Sequence, residues 1–300
     1  MKALSIFFAF GIFLQALLFA RPSSYPYISG DTFRAFCDYI YDETGNTIIP
    51  ENILYGDTIF LKTDYLSDFF KDIHPKIANP YILVTHNGDL PVPREFAYIL
   101  DDPKLIVWFG QNVEYKHPKL KPIPIGIANR YWEHGDIGVV AKMQKITAHH
   151  KKKFFLYMNF VPSTYMPERP YVFQLFKDKP FCTVAVSKDF TSYLFELAES
   201  KFVLSPRGNG QDCHRTWESI YMGAIPIVTS SPLNSLFEGL PVIVINDWNE
   251  VTQEFLEMRY RKMRRKKMGE TVYNRCYADY WFSLISSYKA MPIFTSLPSL

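Results

Sequence analysis

Phe202-Val-Leu-Ser-Pro-Arg-Gly-Asn-Gly-Gln-Asp-Cys-His-Arg-Thr-Trp-Glu-Ser-Ile-Tyr-Met-Gly-Ala-Ile-Pro-Ile227 is the stretch on which the fold turns. An apolar run ends at Ser205, and a loop containing Gly208 and Gly210 follows. Asp212 is placed to cap a helix over Asp212–Met222. Gly223 is placed to end that helix in the left-handed region. A second apolar run, Ile225–Thr229, begins two residues later. Strand, glycine loop, helix and strand in this order make a cradle for an anion. Glycines let backbone N–H groups come close, and the helix start adds unpaired donors and a partial positive charge.

The polar side chains in the stretch fit that cradle. Arg207 and Arg215 offer two guanidinium forks of the shape that diphosphate oxygens accept. Gly208, Asn209, Gly210 and Asp212 complete the loop. At about 100° per residue, Cys213, Trp217 and Ile220 share one helix face, and Arg215, Glu218 and Met222 the other. The first face reads as core, with Cys213 as filler. Glu218 then lies one turn beyond Arg215, at the depth of a ribose whose hydroxyls a carboxylate would accept. An exposed Arg–Glu pair would add only a few tenths of a kcal/mol to a helix. Rival phosphate folds fit less well. A P-loop needs Gly-Lys-Ser/Thr where this chain has Gly-Gln-Asp, and no acidic residue stands near Thr229–Ser231 to hold the ribose of a dinucleotide.

Outward from this segment, apolar runs alternate with helical stretches. Thr58–Lys62, Tyr81–Thr85, Leu105–Phe109 and Ile123–Ile127 read as buried strands, and Tyr65–His74 as a helix ended by Pro75. The polar stretch Lys142–Lys153 reads as an interdomain linker. The alternation resumes with strand Phe154–Asn159, helix Pro167–Phe176, strand Phe181–Val186, helix Phe190–Ser200 and strand Phe202–Ser205. After the cradle come strand Val242–Asn246 and helix Asn249–Lys262. Such alternation means crossovers onto parallel sheets. The expected fold is therefore α/β, with two Rossmann-like domains facing a cleft. The expected organisation is one domain over residues 21–147, a second, carrying the anion cradle, over 148–268 and a helical tail over 269–300.

Composition narrows the partners. The 300 residues carry 33 basic and 30 acidic side chains, a net charge of +3, which argues against nucleic acid. The apolar run Ala3–Ala20 behind Lys2 reads as a cleaved signal peptide or an N-terminal membrane anchor. Export or membrane tethering follows in both cases. The basic run Arg259–Lys267 is a solvated face or a contact with an anionic membrane surface or acidic acceptor. Cys37, Cys182, Cys213 and Cys276 have no metal-ligand spacing, so no metal site is expected.

Residues 205–228 resemble the C-terminal signature of exostosin-type glycosyltransferases: a Pro-Arg-Gly loop, an arginine, then a glutamate five residues before a glycine and eight before a proline. Arg207, Gly208, Arg215, Glu218, Gly223 and Pro226 fall in register, and Pro232–Asn249 is similar too. The resemblance implies a GT-B fold, a nucleotide-sugar donor, a glycan, protein or lipid acceptor, and no metal cofactor. A second glutamate, common eight residues before the ribose one, is Gly210 here. At the carboxyl ends of the N-terminal strands, His86 is the preferred base for an acceptor hydroxyl, with Asp89 second and Asp64 weaker. Asn87, Asn129, Arg130 and His134 are expected at the cleft, and Tyr131 and Trp132 as stacking surfaces. A non-catalytic nucleotide- or carbohydrate-binding protein of the same fold is the alternative.

Overall fold

The computed structural model describes residues 21–265 and 273–289. The leader, part of the basic run Arg259–Lys267 and the last eleven residues lie outside the described residues. Among the described residues no helix is long and apolar enough to cross a membrane.

The first helix among the described residues is α1 (Gly30–Phe36), capped by the Ser29 side chain, which accepts from Thr32 N. Strands β1 (Tyr39–Asp42), β2 (Gly45–Asn46), β3 (Thr58–Lys62), β4 (Tyr81–His86), β5 (Leu105–Gly110) and β6 (Leu120–Pro122) follow. They form one sheet in the order β2-β1-β3-β4-β5-β6, parallel except for the hairpin strand β2. Every residue of β4 is buried, as a central parallel strand covered on both faces requires.

The second sheet comes from β7 (Phe154–Met158), β8 (Cys182–Val184), β9 (Ser200–Leu204), β10 (Ile225–Thr229) and β11 (Ile243–Ile245). Its order is β11-β10-β9-β7-β8, all parallel. The helices between and after these strands are α2 (Ile137–Thr147), α3 (Arg169–Phe176), α4 (Phe190–Ala198), α5 (His214–Tyr221), α6 (Gln253–Arg265) and α7 (Ala278–Lys289). The strands alternate between two cores. Leu156, Met158, Phe202, Leu204, Ile225 and Ile227 fill the outer one, whereas Tyr157, Val203 and Val228 join the core shared with the first sheet. Two parallel α/β layers facing a cleft are the GT-B type of architecture.

Several elements differ from the sequence reading. Residues 123–127 are not a strand. Ile123 N still reaches Gly110 O at 3.0 Å, but Pro122 and Pro124 carry no N–H and Gly126 is left-handed (φ 68°), so the chain leaves the sheet. The expected linker begins as α2, whose Asp136 cap accepts from Gly138 N and Val139 N. Tyr65–His74 is a single α-turn, Leu66–Asp68, followed by the π-helical segment Phe69–Ile73. The hairpin of β1 and β2 and helix α1 lacked a long apolar period and were not foreseen.

Candidate functional site

The second sheet has a topological switch point. From β7 the chain moves outward to β8, then crosses back to β9, so the loops after β7 and β9 diverge and leave a crevice at their carboxyl ends. A cavity of about 550 Å³ occupies that crevice. Asn159, Val161 and Thr164 line it after β7, and Gly208 to Gly210 and Asp212 to Arg215 after β9. A second cavity, of about 520 Å³, lies at the carboxyl ends of the first sheet. Asp89, Ile125 and His214 line both, so the two cavities meet there.

Helix α5 starts at His214, with Cys213 rather than Asp212 as its N-cap and no side-chain cap on its first turn. Asp212 serves the interlobe contact instead. Its carboxylate accepts from Ile125 N (2.9 Å), Trp217 Nε1 (2.8 Å) and Cys213 N (2.9 Å), and burial pushes its pKa up to about 6. Asn112, beyond β5, accepts from Gln211 N (2.9 Å) and Asp212 N (3.0 Å) with one Oδ1. A Cβ on Gly210 would stand 2.7 Å from Asn112 Nδ2. This glycine therefore makes room for the facing lobe.

The guanidiniums are arranged differently from expectation. Arg207 turns back on its own loop, with its guanidinium carbon 4.4 Å from the Tyr165 ring centroid and Nη2 donating to Asn209 O (3.0 Å), and it does not line the first cavity. Arg169, the first residue of α3, lines that cavity with Arg215. Its Nε donates to Arg207 O (2.8 Å) and its Nη1 to Val161 O (3.3 Å). Burial, and then the positive charge of Arg215, hold its pKa below the ordinary value. Arg215 Nε is buried with no partner. Among the described residues neither arginine has a carboxylate within ion-pair distance. The sequence contained Arg169 but gave no sign that α3 would begin beside the β9 loop.

Glu218 lies in the same cavity, where its Oε2 accepts from Tyr193 OH of α4 at 3.0 Å. Burial raises its pKa to about 7, against the favourable effect of Tyr193 and Arg215. Cys213 lines the cavity rather than the core, with its Sγ 3.9 Å from Arg169 Nη2 and 3.5 Å from Pro206 O, and burial raises its pKa. The four cysteines are free.

On the first-lobe side, His86 is 1% exposed and has both ring nitrogens engaged. Nδ1 accepts from Asn87 N (2.7 Å), Nε2 sits 3.1 Å from Pro124 O, and burial lowers its pKa to about 4. This geometry leaves no lone pair for an acceptor. Asn87 and Asn129 belong to a buried network: Asn129 Nδ2 donates to Asn87 Oδ1 (2.9 Å), and Asp31 N donates to Asn129 Oδ1 (2.9 Å). Both still line the second cavity, together with Asp64, Tyr131 and Trp132, the last two more than half exposed. His134 lines the first cavity, and Arg130 is exposed and lines neither. His214, overlooked in the quoted stretch although it adjoins Arg215, stands where the cavities join. Among the described residues no three His, Cys, Asp or Glu side chains converge to hold an ion.

No family model and no curated protein matches the chain. Among solved structures it is similar to UDP-GlcNAc 2-epimerase from Methanocaldococcus jannaschii, at 11% identity over 77% of this chain and 76% of that one, with a TM-score of 0.38. It is also similar to the catalytic domain of starch synthase IV from Arabidopsis thaliana bound to ADP and acarbose, at 9% identity, 79% and 69% coverage and a TM-score of 0.32.

Proposed function

We propose that this chain is an exostosin-like glycosyltransferase that moves a sugar from a nucleoside-diphosphate donor to an acceptor hydroxyl without a metal cofactor. One observation carries the reading: Arg169 and Arg215, whose buried Nε has no partner, meet without a carboxylate in ion-pair range in a cavity at the uncapped start of α5. Two uncompensated guanidiniums beside free backbone donors call for a polyanion. Glu218 stands one turn deeper, where a ribose attached to that anion would offer hydroxyls. Gly208 keeps space for Arg169, since a Cβ there would lie 3.2 Å from Nη2. Asn209 and Gly210 shape the loop.

The acceptor, a glycan, protein or lipid, enters by the first-lobe cavity. Asn87 and Asn129 hold its wall, His134 and Asp89 flank the junction, and His86 keeps the strand end in place. The apolar leader implies export or membrane tethering. Calorimetric titration of UDP, GDP and ADP tests the donor site: Arg215→Ala should weaken the binding of the preferred diphosphate at least tenfold, by about 1.4 kcal/mol. Unchanged affinity would discard the anion cradle. The engagement of both His86 nitrogens favours one other reading, a binding protein without turnover. Hydrolysis or transfer from the bound nucleotide sugar separates the two.

A further inference from the structure

His214 is the one imidazole that lines both cavities. Its Nδ1 lies 2.8 Å from the carbonyl oxygen of Gly126. A carbonyl can only accept, so Nδ1 carries the proton and the neutral ring presents a lone pair at Nε2. Among the described residues no hydrogen bond is made at that nitrogen, whereas both ring nitrogens of His86 are engaged. The loop that fixes the ring is itself pinned. Gly126 is left-handed, Ile127 N donates to Ile28 O (2.9 Å), and a Cβ on Gly126 would fall 2.1 Å from that same oxygen. The tautomer is thus set by backbone from the lobe opposite the ring's own helix.

Resting on the donor site proposed above, we infer that His214 Nε2 is the base that takes the acceptor's proton, and that transfer inverts the anomeric carbon. The acceptor approaches from the first-lobe cavity, and the diphosphate is held on the far side by Arg169 and Arg215. The acceptor oxygen forms a bond to the anomeric carbon. The bond from that carbon to the diphosphate oxygen breaks, and its electron pair stays on the diphosphate. The acceptor proton passes to Nε2, and the imidazolium releases it to solvent once the product leaves.

The groups facing the ring are Asp89 beyond β4, His134 before α2, Arg215 on α5 and His86 at the end of β4. Burial, helped by the nearby Arg215, outweighs the Gly126 carbonyl and Asp89, so the pKa lies below its ordinary value. The ring is therefore neutral at pH 7, as a base must be.

The full chain carrying His214→Gln, compared with the unaltered chain, tests the inference. UDP, GDP and ADP titrated into both should bind with affinities within about twofold, while transfer from the corresponding nucleotide sugar falls roughly 10²–10⁴-fold in kcat. The unaltered chain should lose kcat/KM on the acid side with a midpoint below about 6.5, and the variant should lack that limb. Transfer by the variant at the unaltered rate, with normal diphosphate binding, would overturn the base assignment and leave the donor site standing. Failure of the unaltered chain to bind any of the three diphosphates would instead sink the donor site and this inference with it. If the variant does not fold, the product of the unaltered chain decides: NMR should show an inverted anomeric centre, and retention overturns the inference.

Discussion

Glu218 shows how one buried carboxyl can report on both folding and binding. Its pKa rises from 4.5 to about 7, equivalent to about 3 kcal/mol. The folded state therefore favours the protonated form. That contribution is fully present below pH 4.5 and is lost as pH rises through about 7. Glu218→Gln should match the unaltered protein in stability near pH 4.5 and exceed it by up to about 3 kcal/mol at pH 8. Urea unfolding at the two pH values measures this, and a constant difference would show that the carboxyl is not buried as described. A ribose hydroxyl donates best to the ionised group, so diphosphate-nucleoside affinity should rise as pH passes 7 in the unaltered protein and stay flat in the variant. The arginines give a second contrast. Arg169→Ala should weaken diphosphate binding about tenfold, whereas Arg207→Ala should change it less than threefold, because only Arg169 lines the cavity. Equal losses would mean that Arg207 turns inward when ligand binds. Which arginine lines the cavity was not legible in the sequence, because Arg169 reaches the site from α3, 38 residues upstream of Arg207, through a contact that only the sheet order creates.

At the scale of elements, β10 was readable to the residue and β9 closely, because a central parallel strand is a short apolar run bounded by turn residues. The strand expected over Ile123–Ile127 is absent, and the sheet ends instead on Leu120–Pro122, for a local reason: the apolar run 123–127 contains Pro124 and the left-handed Gly126, which carry burial without pairing. That failure matters to the site, because the unpaired segment supplies Ile125 N to Asp212 and Gly126 O to His214. The cradle loop was legible as a glycine loop before a helix, but its dependence on Asn112 was not, since that pairing spans about a hundred residues of sequence. Gly126→Ala would force a Cβ into a left-handed position and onto Ile28 O. It should cost about 2 kcal/mol or more and lower turnover alongside stability. A stable, fully active Gly126→Ala protein would show that this loop does not set the geometry of the cleft.

At the scale of the whole molecule, the two lobes are not independent bodies joined by a strap. One buried cluster runs from Ile59, Leu83 and Trp108 of the first sheet through Leu197, Trp217 and Ile220 to Val203 and Val228 of the second. Helix α7, reached only after the second lobe is complete, returns to the first. Phe282 stacks on Phe36 with centroids 4.2 Å apart, Tyr288 meets Phe109 edge-on, and Lys289 pairs with Asp38 (3.0 Å). Tyr221, at the end of α5, packs edge-on against Tyr27 and donates to Cys276 O, tying the cradle helix to both. A core continuous across the cleft couples the unfolding of the lobes, as two cores with a thin linker would not. Ile285 is fully buried on the inner face of α7, so Ile285→Ala should cost about 2–5 kcal/mol. Calorimetry should then show one transition in both proteins, shifted downward as a whole in the variant. If the variant instead splits into two transitions, with only the first-lobe half shifted, α7 serves the first lobe alone and the cleft is a hinge between separately stable domains.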